Sequence, residues 1–79
     1  MEITVRVATI LLKKADPPLA STRFTLEVPE GLEVRGLIDT LSMPAKLVGS
    51  VTINKKRQPM EAVIAPGDVV AIIPAISGG

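Results

Sequence analysis

The sequence contains no cysteine, no histidine, no tryptophan and no tyrosine, and Phe24 is its only aromatic residue. Without histidine or cysteine the chain lacks the usual general base near neutral pH and the usual thiol nucleophile. Metal ligation is left to carboxylates, and no pair of them is spaced like a site. The expectation is therefore no metal, no catalytic residue of its own and no enzyme. Lack of cysteine also removes any disulfide framework, which makes the cytoplasm the expected compartment. A single aromatic offers no stacking platform for single-stranded nucleic acid. Nine basic against eight acidic residues leave a formal charge of +1, which gives no electrostatic reason to expect nucleic acid or an anionic membrane as partner. No apolar run approaches the roughly 18 residues of a membrane span, and the first residues lack a basic-then-apolar signal pattern.

What is present is a globular composition. Of 79 residues, 47% are hydrophobic and 22% charged, enough for one small domain whose core must be filled by Val, Ile, Leu and Met. Residues 1–74 are expected to form that domain and residues 75–79 a flexible tail.

Ile3 to Ile10 begins with strict alternation, Ile3, Val5 and Val7 against Glu2, Thr4 and Arg6, which predicts a half-buried strand. The segment from Ala15 to Ala20 holds Pro17 and Pro18, reads as a loop, and leads to a second alternating strand over Arg23 to Val28. These two strands are expected to pair as an antiparallel hairpin with a long loop. After the turn Pro29-Glu30-Gly31, Val34, Leu37, Ile38 and Leu41 fall at i, i+3, i+4 and i+7, one apolar helical stripe ended by Met43-Pro44. Arg35 and Asp39 lie four apart away from that stripe, placed to pair. Leu47 to Ile53 is a third strand, weakened at Gly49, followed by a turn from Asn54 to Pro59. Met60 to Ile64 is either a short edge strand or irregular. Ala65-Pro66-Gly67-Asp68 is a turn, and Val69 to Pro74 is the last strand. The first and last strands are the most apolar, so they are expected side by side and parallel at the sheet centre. One short helix then covers one face of a mixed sheet of four to five strands, an α+β arrangement.

That leaves the other face of Val69–Ile73 without cover. The pattern alone does not decide between Val69, Ala71, Ile73 and Val70, Ile72 as the outward set. Val69, Ala71 and Ile73 are taken as the candidate partner surface. The chain then finishes Pro74-Ala75-Ile76-Ser77-Gly78-Gly79. Glycine makes up about 7% of average sequence, so a terminal pair arises by chance in roughly 0.5% of chains. A tail without side chains at its end can thread a narrow slot, and its one reactive group is the Gly79 carboxylate. Ser77 is a small spacer, since no base exists to activate it. Lys55-Lys56-Arg57 reads as a solvated turn, and Glu30, Glu33, Glu61 and Asp68 as turn or helix-start carboxylates.

Taken together, Val28-Pro29-Glu30-Gly31 leading into Val34-Arg35-Gly36-Leu37, the Pro66-Gly67-Asp68 turn, and Val69–Pro74 running into Ser77-Gly78-Gly79 resemble one branch of the ubiquitin-like β-grasp proteins. That branch is the sulfur carriers of the MoaD/ThiS type, among them the small subunit of molybdopterin synthase and its relative in thiamine biosynthesis. Glu33 stands where such families often place Thr or Ser as the helix N-cap. The proline-containing tail is more similar to the molybdopterin branch. The resemblance implies that a ubiquitin-activating-type adenylyltransferase uses ATP and magnesium to adenylate Gly79, which then becomes a thiocarboxylate. The tail residues Pro74, Ala75, Ile76, Ser77 and Gly78 would insert into a sulfur-acceptor enzyme, the large subunit of molybdopterin synthase or a thiazole synthase-like protein. Two other readings stay open: a protein modifier that forms isopeptide bonds through Gly79, and a β-grasp interaction module with an inert tail.

Overall fold

Alternation and helical periodicity place most of the ordered elements. The computed structural model describes residues 1–75. Strand β1 (Glu2–Val7) is followed by a single 3-10 turn at Thr9–Leu11. Strand β2 (Arg23–Glu27), helix α1 (Val34–Thr40) and a second 3-10 turn at Ala45–Leu47 come next. Strands β3 (Val48–Ile53), β4 (Lys56–Gln58) and β5 (Val69–Pro74) complete the order. The five strands form one mixed sheet in the order β2-β1-β5-β3-β4. Strand β5 is thus central, parallel to β1 and antiparallel to β3, as the two most apolar strands predict.

One face of the sheet is the core. Ile3, Val5 and Val7 from β1, Val70 and Ile72 from β5, and Val48, Val51 and Ile53 from β3 are all buried there, in one cluster with Val34, Leu37, Ile38 and Leu41 of the helix stripe. Full burial of such side chains stabilises by about 1.5–3 kcal/mol each. The helix therefore survives Gly36, which costs about 1 kcal/mol relative to alanine, through packing rather than propensity. Leu11, Ala15 and Met43 seal the margin of the cluster. The long loop between β1 and β2 is held down by Asp16 N–H donating to the Leu41 carbonyl at 3.2 Å and Leu19 N–H to that of Leu12 at 2.8 Å.

Four local expectations need correction. The alternation of the first strand stops at Val7, because the chain turns into the 3-10 segment that buries Leu11. Leu47 lies in a 3-10 turn, and β3 starts one residue later. Lys56–Gln58 belongs to a strand, not a turn. Only Asn54 and Lys55 form the bend, both at positive φ (52° and 73°), which matches the twist of a two-residue hairpin. Arg35 pairs with Glu61, Nη2 to Oε2 at 2.8 Å, instead of Asp39. Met60–Ile64 has the irregular form. It serves the helix start, where Val34 and Arg35 N–H groups donate to the carbonyls of Ala62 and Met60, both at 2.9 Å. These bonds satisfy amides that Glu33, which makes no side-chain cap, leaves open.

Candidate functional site: the root of the tail and the outer sheet face

The last strand sets where the tail begins. The alternation of β5 sends Val70 and Ile72 into the core and Val69, Ala71 and Ile73 to the outer face. Val69 and Ala71 are half-buried, while Ile73 is 40% exposed, one of three large apolar side chains that are exposed among the described residues. The outward set is therefore the one taken as candidate surface. Pro74 is half-buried opposite Val48, and Ala75 is exposed. The remaining tail positions, Ile76, Ser77, Gly78 and Gly79, lie outside the described residues.

The tail root is fastened to β3. The Ala75 N–H donates to the Leu47 carbonyl at 2.8 Å. Between Val48 and Ser50 the ladder with β5 slips, leaving Gly49 in the irregularity. A Cβ on Gly49 would stand 2.8 Å from the Pro74 oxygen, 2.9 Å from the Ala75 Cα and 3.0 Å from the Ala75 nitrogen. Glycine is thus required there by close backbone approach. The start of β5 is fixed with equal care. Asn54 Nδ2 donates to Asp68 Oδ1 at 3.0 Å, and Asn54 Oδ1 accepts from the Val69 N–H at 3.0 Å. Asp68 Oδ2 accepts from the Ala65 N–H at 2.8 Å. The strand that carries the tail is anchored at both ends.

Register also assembles a feature that sequence reading did not isolate. Arg23 faces Arg6 across β2 and β1, Arg6 faces Ala71, Ala71 faces Thr52, and Thr52 faces Arg57. These five side chains cross the outer face as one row, about 19 Å long at the usual strand spacing. Arg6 and Arg23 also line a groove together with Ile73 and Pro74, the last two residues of β5. Glu2 and Glu27 face each other at the far end of the same face. The signal was available in the two alternating strands, but only the register puts like charges opposite each other. Among the described residues, no three carboxylates converge as metal ligands would, and no helix is long and apolar enough to cross a membrane.

Comparisons with known proteins agree with this architecture. The sequence model described as the ThiS family matches residues 14–79. Solved structures similar to the chain include the following three. One is the H. volcanii small archaeal modifier protein 1, at 17% identity and TM-score 0.72, covering 95% of this chain and 98% of that one. Another is described as molybdopterin converting factor, subunit 1, from Pyrococcus furiosus, at 19% identity and TM-score 0.73, covering 96% and 99%. The third is the complex of subunits 1 and 2 of the molybdopterin-converting factor from Helicobacter pylori, matched at 18% identity and TM-score 0.61 over 100% of both chains. At these identities the structures speak for the ubiquitin-like β-grasp fold. The comparison with curated proteins found no match.

Proposed function

The chain belongs to the ThiS family, and from that premise we propose that it is a sulfur carrier whose working group is the Gly79 carboxylate. The family match runs through residue 79, and this observation carries the reading. In the proposed cycle the carboxylate attacks the α-phosphate of ATP, held with magnesium by a ubiquitin-activating-type adenylyltransferase. Pyrophosphate leaves and an acyl-adenylate forms. A sulfur donor then displaces AMP, so a poor leaving group has been exchanged for a good one before the carbon–sulfur bond is made. The sulfur rides on a terminal carbonyl, and a chain without cysteine suffices. The protein acts as a cosubstrate in the cytoplasm, with ATP, magnesium and the catalytic groups belonging to its partners.

The role of the fold is positioning. The central strand β5 is fixed by Asn54 and Asp68 at one end and by Leu47 at the other, so Pro74 and Ala75 start the tail from a defined place. Residues 75–79 form the segment that enters the partner, and Val69, Ala71 and Ile73 give that partner an apolar footing. The likeness to molybdopterin converting factor subunit 1, and to a complex of subunits 1 and 2, supports delivery of the sulfur to a synthase large subunit for molybdenum or tungsten cofactor. The family match equally admits a thiazole synthase-like acceptor. A second reading, attachment of Gly79 to target lysines, is favoured by the likeness to the small archaeal modifier protein.

Intact-mass analysis of protein taken from its own cells tests the proposal. Replacement of one oxygen by sulfur at Gly79 is the expected result. Covalent conjugates would favour the modifier, and an unchanged terminus in cells making the cofactor would overturn both.

A further inference from the structure

We propose that the arginine row Arg23–Arg6–Arg57 is the docking surface for an acidic patch on the adenylyltransferase, an inference that rests on the carrier reading above. Three observations carry it. First, Arg6 and Arg23 occupy directly opposed positions of an antiparallel pair, where like charges are destabilising. The chain does not relieve this: among the described residues the only ion pairs are Met1 amino group to Glu27 and Arg35 to Glu61. A local arrangement that opposes folding, and is left uncompensated, is the mark of a group whose counter-charge comes from outside.

Second, the row is placed where docking would have to occur. Arg6 and Arg23 line the groove at Ile73 and Pro74, where the tail leaves the sheet. The depression next to it is lined by Arg6, Arg23, Thr52, Asn54, Lys55, Val69 and Ala71, so Lys55 adds a fourth cation near the apolar strip of β5. An apolar centre with a charged margin is the anatomy of a protein interface.

Third, charge is segregated although the chain as a whole is nearly neutral, at +1. Glu2 and Glu27 sit at the far end of the same face, so the face is dipolar along β1. A partner with acidic groups near its tail channel would be drawn to the tail-exit end and would enter in one orientation. Single-stranded nucleic acid is a poorer match than a protein, since the one aromatic, Phe24, packs against the core and offers no base a platform.

The test is pyrophosphate release by the adenylyltransferase of the same cells, with the full chain as varied substrate. Arg6→Glu/Arg23→Glu should raise KM roughly tenfold or more and flatten the salt dependence of kcat/KM, with kcat at saturation retained. Arg6→Lys/Arg23→Lys should stay within a few-fold of the parent, and Glu30→Gln, in the exposed turn before helix α1, should match it. Thermal melting of each variant establishes that it is folded. If the parent chain supports turnover and the charge-reversed chain does so with the same KM and salt dependence, the docking inference is overturned while the carrier reading stands. If the parent chain supports no pyrophosphate release, the carrier reading fails and takes the inference with it. Tight binding of a labelled single-stranded oligonucleotide through Arg6 and Arg23 would also overturn it, in favour of a nucleic-acid surface.

Discussion

Gly49 and Ala75 touch through backbone alone: a Cβ on Gly49 would lie 2.9 Å from the Ala75 Cα, closer than side-chain carbons come. The atoms in the way are main chain, so no flexible side-chain end can yield. Gly49→Ala must push β3 and the tail root apart, and the Ala75–Leu47 hydrogen bond is beside the strain. Such overpacking costs about 1–3 kcal/mol. The expected outcome is a loss of that size in the unfolding free energy measured with urea, together with slower activation of Gly79, because the tail starts from a displaced position. A variant with parental stability and activity would show that the contact does not position the tail.

This contact also marks the limit of sequence reading. Gly49 is visible in the sequence as a weak point of a strand, but the reason for it, the end of β5 crossing at the ladder slip, is non-local. The alternating strands and the Val34-Leu37-Ile38-Leu41 stripe were legible because period two and period 3.6 are local properties. The central parallel pair followed from which strands were most apolar. Lys56–Gln58 resembles a turn in the sequence because charged residues on a three-residue edge strand carry no apolar pattern, and Arg35 meets Glu61 because the 60–64 segment folds over the helix start. The arginine row needed the register of four strand pairs at once.

Removal of Gly79 is expected to abolish activation by the adenylyltransferase while leaving the melting temperature unchanged, and adding residues after it should do the same. The first loses the reacting carboxylate's position and the second its free acid. A melting temperature that fell with activity would mean that the tail contributes to the domain itself, contrary to the carrier reading.

Ile73 is exposed where its strand neighbours Val70 and Ile72 are buried, which separates footing from folding. Ile73→Ser should lower stability by no more than about 1 kcal/mol, since only part of the side chain is removed from water. The same change should raise KM for the activating partner, because the apolar footing is lost. Equal KM values for parent and variant would take Ile73 out of the interface.

The Asn54-Lys55 bend makes opposite predictions for its two residues, although both sit at positive φ. Asn54 is fastened on both sides, donating from Nδ2 to Asp68 and accepting at Oδ1 from the Val69 N–H, each at 3.0 Å. Asn54→Ala loses both bonds and puts a less tolerant residue in the left-handed region, at a cost of about 1–3 kcal/mol. Lys55, at 73°, makes no side-chain hydrogen bond among the described residues to offset its conformation, and glycine is the residue a two-residue hairpin of this type prefers there. Lys55→Gly should therefore raise stability by roughly 0.5–1 kcal/mol. Urea denaturation of the two variants beside the parent decides the matter. The order expected is Lys55→Gly above the parent and the parent above Asn54→Ala. A destabilised Lys55→Gly would mean that the lysine side chain contributes more in place than its backbone strain removes.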